Sequence, residues 1–294
     1  MGASLPTKDR IVLCIRWGTL YPADYVNVLF NAVSANLSGP FRFVCLTDDG
    51  RGLHKEIEVF PIPDMGLAPE RFARGAWPKL ALFKQDLYGL QGRMLFVDLD
   101  TVVNGPIDQF FEANDPFLAI SHSTWEHRIK TKPRVYLAWK AWRGRVKAAR
   151  TAQSHEGGDP SAQVAPNKMS SCVFALDVGS QSQVYDAFMA DPETAFQRYS
   201  NEQHFLELHL ERWTPWPRHS IISYKFQLRR PLIADWFLHP KVPPKQVPMV
   251  AFHGDPRPLA MAVGWHSSAR EFPHVWIGPV RWMRDYWRRY SHTG

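Results

Sequence analysis

No apolar run in this 294-residue sequence approaches the roughly 18 residues that a membrane span needs, which argues against a spanning transporter or receptor. Cysteine is scarce: Cys14, Cys45 and Cys172 are the only three, and each sits in an apolar stretch. An odd, small number excludes a disulfide framework and predicts buried free thiols in a reducing compartment. Residues 1–20 lack the charged-then-apolar order of a secretion signal, because Asp9, Arg10 and Arg16 bracket too short a core. Pro6 stands where a myristoylation motif needs Ser or Thr. Internal repeats and a clean linker are missing too, which predicts one domain over 1–294. With 45% hydrophobic and 13% aromatic residues, the chain has what a sizeable core requires, and disorder of the whole is excluded.

One segment lacks acid altogether. Residues 128–150 hold nine Lys or Arg (Arg128, Lys130, Lys132, Arg134, Lys140, Arg143, Arg145, Lys147, Arg150) and no Asp or Glu. The chain has 35 basic and 28 acidic residues; without those nine, 26 basic face 28 acidic, so the +7 belongs to the segment and not to the fold. This predicts a basic insertion at about 125–168 that meets an anionic partner or solvent, ending in the loop-like "SHEGGDPSAQVAPN" (154–167). Trp139 and Trp142 among those cations could stack bases, so a nucleic-acid-binding protein is one alternative. The acidic remainder and the lack of any nucleic-acid motif argue against it. An anionic glycolipid acceptor, or a lid over a substrate, suits the same segment.

Two apolar periods alternate along the rest. "RIVLCIRW" (10–17), "FRFVCLT" (41–47), "IEVFPIP" (57–63), "MLFVDLDTVV" (94–103), "PFLAISH" (116–122), "SSCVFALDV" (170–178) and "PMVAFHG" (248–254) read as strands. Helical spacing predicts helices over 23–37, after Pro78 with Leu80, Phe83 and Leu87 on one face, and over 181–190, 202–212 and 281–290. "SYKFQLRR" (223–230) reads as a solvated strand edge or as a cationic contact for a charged substrate. Alternation of this kind predicts an α/β fold, a mostly parallel central sheet flanked by helices, with ligands at the carboxyl ends of the strands. In the C-terminal amphipathic helix, at about 279–291, Trp282, Met283, Tyr286, Trp287 and Tyr290 share a face, with Arg281, Arg284 and Arg288 largely opposite. That face either packs on its own domain or lies on an anionic membrane.

The most informative feature is the acid pair inside "MLFVDLDTVV". Residues two apart on a strand share a face, so Asp98 and Asp100 point one way and Leu99 the other. Two carboxylates at one strand end repel, more so when buried. A divalent cation removes the conflict, and Mg2+ or Mn2+ typically takes one or two carboxylates and completes its shell with substrate phosphates. The plainer reading is a pair of acids capping a turn.

On these residues the chain resembles the nucleotide-sugar glycosyltransferases of the single-domain, Rossmann-like A fold. It is similar above all to the family 8-like group of bacterial envelope-glycan galactosyl- and glucosyltransferases and glycogenin. "LFVDLDTVV" resembles their Asp-x-Asp strand. "IRWG" (15–18) resembles the strand end holding base and ribose, which implies donor contacts for Trp17 and Gly18. "WPKLALFK" (77–84) resembles the helix that brings Lys79 to the donor. "SSCVFALD" (170–177), with Ser171, is similar to the strand lining the sugar pocket, and "NEQHFLE" (201–207) to the acid-Gln segment facing the donor sugar, here Glu202 and Gln203. "AFHGDPRP" (251–258) is similar to the signature HFxGxxKP, in which a His completes the metal site and a glycine loop with a Lys holds the diphosphate. This chain departs there: Ala251 stands at the aligned His position, His253 is the available substitute, and Arg257 replaces the Lys beside Gly254.

The resemblance implies a metal-dependent transferase with Mn2+ or Mg2+ and a UDP-sugar donor. It also implies a glycan, glycolipid or protein acceptor, retention at the anomeric carbon, and a cytoplasmic location at or near the inner membrane face. Bland alternatives stand beside it. His253 in a loop can simply bond a carbonyl, Lys79 can face solvent, and Glu202-Gln203 can be an ordinary first helical turn. Asp48-Asp49 before Gly50 reads as a turn. The rival enzyme class is a haloacid-dehalogenase-like phosphatase with Asp98 as nucleophile and Asp100 as acid/base. Its motif belongs near an N-terminus, however, and "FALDVG" (174–179) offers only one later acid.

Overall fold

The computed structural model describes residues 9–72, 75–125, 142, 168–231, 234–264 and 278–291. The basic cluster of 128–150 and the loop 154–167 lie outside the described residues, apart from Trp142. Ten strands are present among the described residues: β1 Arg10–Arg16, β2 Arg42–Thr47, β3 Glu58–Phe60, β4 Arg93–Val97, β5 Thr101–Val103, β6 Phe117–Ser121, β7 Met169–Asp177, β8 Thr214–Pro215, β9 Ile221–Ser223 and β10 Met249–Ala251. Seven form the main sheet in the order β3-β2-β1-β4-β7-β6-β8. It is parallel from β3 to β4, turns antiparallel at β7 and β6, and is parallel again at β8.

Period-two packing builds both faces. Ile11, Leu13 and Ile15 of β1 and Met94 and Phe96 of β4 enter one apolar cluster; Val12, Cys14, Leu95 and Val97 enter the other. Strands buried on both sides are expected where helices cover both faces. The first cluster is roofed by the helices Ser182–Ala190 and Glu202–His209, the second by the helix Ala23–Ser34. All three cysteines are buried and free, as their apolar settings predict. No helix among the described residues is long and apolar enough to cross a membrane.

Several elements differ from expectation. "MLFVDLDTVV" is not one strand. β4 ends at Val97, a turn closes as Thr101 N donates to Asp98 O at 2.9 Å, and β5 joins a second sheet ordered β5-β10-β9. Asp98 and Asp100 therefore sit in the joint between two sheets, and strand alternation does not place them. The segment after Pro78 is a 3₁₀ helix, Trp77–Phe83, with every residue buried; Leu87 lies beyond it. A short, tight helix suits a piece wedged between the sheet and its roof. "SYKFQLRR" is not a strand edge: Tyr224–Leu228 is a π-helical turn capped by Ser223 Oγ, which accepts from Phe226 N at 3.2 Å.

The C-terminal helix, Arg281–Ser291, spends its aromatic face on its own chain. Met283 is fully buried, Trp287 meets Tyr25 edge-on at 4.9 Å, and Asn31 Nδ2 donates to Tyr290 O at 2.8 Å. The face that the membrane reading required is thus already covered.

Candidate active site

A cleft of about 590 Å³ opens at the carboxyl ends of β1 and β4, lined by Trp17, Gly18, Tyr21, Phe72, Lys79, Asp98, Leu99 and Asp100 among others. Its near wall is the turn after β1. Gly18 takes a left-handed φ of +60° and donates its N–H to Asp48 Oδ2 at 2.8 Å. Asp48, expected only to shape a turn, thus ties the end of β2 to this wall. Trp17 Nε1 donates to Phe72 O at 2.8 Å, which seats the far wall against the near one.

The floor is a charge cluster. Lys79 Nζ donates to Asp98 Oδ2 at 2.7 Å and lies 3.8 Å from Glu202 Oε1. Ser171 Oγ donates to Glu202 Oε1 at 2.8 Å, and Ser171 N donates to Gln203 Oε1 at 3.2 Å. The solvent-facing reading of Lys79 is corrected: the 3₁₀ helix turns it inward, onto the acids. Glu202 is likewise more than a first-turn acid, being almost fully buried beside a cation. Asp100 approaches from the other side, its Oδ2 accepting from Gly254 N at 2.9 Å.

Two carboxylates, Asp98 and Glu202, thus face one ammonium, with Asp100 beside Asp98, and the imbalance shows in the acidity of Asp98. Burial pushes the Asp98 carboxyl up to about 7; Lys79 pulls it down, and Asp100 and Glu202 push it up again. Burial alone would lower Lys79, yet Asp98 and Glu202 carry it above its ordinary value, so it stays charged. Burial and the charges of Asp98 and Asp100 also raise the Cys172 thiol.

The loop after β10 completes the surroundings. His253 has a left-handed φ of 42°, stacks on Trp125 at 4.8 Å, and its Nε2 lies 2.6 Å from Ser223 Oγ. Burial, then the charges of Lys225 and His122, depress its imidazole to about 3, so it is neutral. Lys225 Nζ donates to His253 O at 3.1 Å, so the cation of "SYKFQLRR" buttresses this loop. Arg257 lies 3.6 Å from Asp255 and over the Tyr21 ring.

A metal fits part of this set. Asp98 and Asp100 supply hard oxygens at one cleft, in a cluster short of positive charge. The expected trio is not assembled, however: among the described residues no three His, Cys, Asp or Glu side chains are arranged to hold an ion. His253 Nε2 is turned to Ser223 Oγ and is not gathered with Asp98 and Asp100. Of the residues singled out in the sequence, Trp17, Gly18, Lys79, Asp98 and Asp100 line one cleft. Ser171, Glu202 and Gln203 join beneath it, and Gly254 is tied to it through Asp100. Tyr21 and Phe72 went unmarked. An aromatic three residues after the Gly18 turn was the available signal for Tyr21; Phe72 gave none.

No family model matches the sequence, and no curated protein matches it. Solved structures do resemble the fold. A galactosyltransferase, LgtC, in complex with donor and acceptor sugar analogs aligns over 97% of this chain and 97% of its own at a TM-score of 0.54 and 12% identity. The glycosyltransferase GlyE of Streptococcus pneumoniae aligns over 97% of this chain and 62% of its own, at 0.51 and 10%. The bifunctional glycosyltransferase WbbM aligns over 99% and 53%, at 0.51 and 12%. This chain therefore spans little more than half of those last two proteins. At such identities the likeness speaks for architecture, and the architecture is the glycosyltransferase A fold.

Proposed function

We propose that this protein is a glycosyltransferase that moves a hexose from a nucleoside-diphosphate sugar, with UDP favoured, to an acceptor hydroxyl. The observation that carries the proposal is the convergence of Asp98, Asp100 and Lys79 on one cleft at the sheet's carboxyl edge. The glycosidic bond to the diphosphate oxygen breaks, a bond to the acceptor oxygen forms, and the acceptor's proton leaves with the diphosphate. Negative charge grows on the leaving group. Lys79 and Arg257 would be the cations that meet it, and removing one such element costs several kcal/mol, roughly 3–4. Asp98 and Asp100 would hold Mn2+ or Mg2+, which when bound supplies Lewis-acid stabilisation to the diphosphate.

Trp17 and Gly18 border the base and ribose, while Ser171, Glu202 and Gln203 face the sugar. Retention at the anomeric carbon and a role in envelope or surface glycan synthesis, in the cytoplasm, rest on the sequence resemblance alone. So does a glycan, glycolipid or protein acceptor. The phosphatase alternative loses its scaffold, since its motif belongs to another fold and Asp98 Oδ2 is held by Lys79. The nucleic-acid alternative rests on residues outside the described set.

The test is a thermal-shift series with nucleoside diphosphates and nucleotide sugars, with and without Mn2+. Metal-dependent stabilisation by one nucleotide supports the transferase. Stabilisation by phosphate mimics with Mg2+, and by no nucleotide, overturns it in favour of phosphoryl chemistry.

A further inference from the structure

Arg257 precedes the helix Pro258–Val263, with its guanidinium carbon 5.3 Å from the centre of the Tyr21 ring. Its charged neighbour is Asp255, at 3.6 Å. Its Nε is buried with no hydrogen-bond partner, so the head is not clamped by a complete set of bonds. Fixing an Arg side chain costs rotamer freedom. A rigid platform reduces what a ligand must supply when it binds.

Tyr21 is such a platform. Its carbonyl accepts from Arg16 Nε at 2.8 Å, and its ring meets Tyr25 edge-on at 5.0 Å. Tyr25 is braced in turn by Trp287 of the C-terminal helix at 4.9 Å. Tyr25 also grips the same loop by its backbone: Leu259 N donates to the Tyr25 hydroxyl at 3.3 Å. Two tyrosines four residues apart therefore hold the segment 257–259, one by the side chain and one by the main chain. Tyr21 does so from the cleft wall it shares with Asp98 and Asp100.

We propose that Tyr21 is the positioning residue for Arg257: its ring aims the guanidinium at the donor diphosphate, while Tyr25 fixes the segment that carries it. This rests on the donor reading above. It adds that the C-terminal helix supports the diphosphate site through Trp287, Tyr25 and Tyr21.

The experiment is a double-mutant cycle on the full chain, with UDP, UMP and uridine titrated by calorimetry in the presence of Mn2+. The proteins are wild type, Tyr21→Leu, Tyr21→Phe, Arg257→Ala and the two doubles. Tyr21→Leu is expected to weaken UDP about tenfold and leave uridine unchanged. Tyr21→Phe, which keeps the ring, recovers most of the loss. In the Arg257→Ala background neither substitution costs UDP anything further. Should Tyr21→Leu fail to fold, Tyr21→Met carried through the same cycle removes the ring with a longer side chain and reads the same coupling. Equal losses for UDP and uridine, or losses that add across the cycle, overturn the proposal and make Tyr21 a direct nucleoside contact. If wild type binds no UDP, the donor reading falls and this proposal with it, a result visible before any variant is compared.

Discussion

Lys79 Nζ lies 2.7 Å from Asp98 Oδ2 and 3.8 Å from Glu202 Oε1, so one buried ammonium joins an acid at the tip of β4 to an acid in the first turn of Glu202–His209. The helix Trp77–Phe83 makes this possible by turning its only cation toward the sheet. With Asp100 alongside, the cluster carries more negative than positive charge. Burial and that excess hold the Asp98 carboxyl up to about 7, so it takes up a proton near neutral pH.

Lys79→Met is expected to destabilise the fold by about 2–3 kcal/mol at pH 7. Removing one partner of a buried pair costs roughly 3–5 kcal/mol, part of which Asp98 recovers by protonating. In an Asp98→Asn background the same substitution should cost clearly less. Urea midpoints of the four proteins check this; losses that simply add would mean the two side chains do not rely on each other.

Acidity gives a second prediction. The Asp98 carboxyl is raised to about 7 in the folded chain, against about 4 in an unfolded one. Between those values the folded state binds more protons, so stability falls as pH rises from about 4 to about 7. Lys79 is charged in both states over that window and adds no slope. Denaturant midpoints measured at fixed ionic strength without divalent ions should show the decline, and Asp98→Asn should flatten it. Mn2+ should abolish the decline by replacing the proton.

How much of this was legible in the sequence depends on what each residue's role requires. The central strands of the main sheet were readable because both faces are buried and the apolar runs are unbroken, as in "RIVLCIRW" and "SSCVFALDV", whereas β8, two residues at the sheet's edge, went unmarked. The acid pair was readable because charge inside such a run has few explanations. Its geometry was only partly so: the acids allowed a turn, but the break at Val97 is set by β5 leaving for a second sheet, which nothing local announces. Lys79 was found by resemblance, but its burial depends on a 3₁₀ helix, and three- and four-residue spacing look alike over seven residues. The direction of the His253 side chain was not readable, because it is set by Ser223, thirty residues away in sequence.

Gly18 separates backbone need from cleft space. Its φ of +60° strains any side chain, yet a Cβ added there meets nothing within 4 Å. Gly18→Ala should cost about 1 kcal/mol of stability from strain alone and leave nucleotide affinity nearly intact. Gly18→Asn, which tolerates this conformation better, should be the more stable of the two but the weaker binder, since its amide reaches into the cleft. Melting temperatures and nucleotide titrations should therefore rank the two variants in opposite orders. The same order in both would mean that Gly18 does not border the ligand.

Asp100 carries two duties that a pair of variants can divide. Its Oδ2 accepts from Gly254 N at 2.9 Å, which ties the loop after β10 to the acid pair, and its charge raises the Asp98 carboxyl. Asp100→Asn keeps an acceptor for Gly254 N and removes the charge. Its stability should stay within about 0.5 kcal/mol of wild type, or rise slightly as repulsion with Asp98 is relieved, because a satisfied bond survives. Asp100→Ala strands the Gly254 N–H and should cost a further 1–2 kcal/mol or so. If the pair binds a divalent ion, both variants lose Mn2+-dependent nucleotide stabilisation alike, whatever their own stability. Calorimetric titration of Mn2+ into each, next to their urea midpoints, makes the division visible. An Asn variant that retained wild-type Mn2+ affinity would leave Asp100 a purely structural tether for the Gly254 loop.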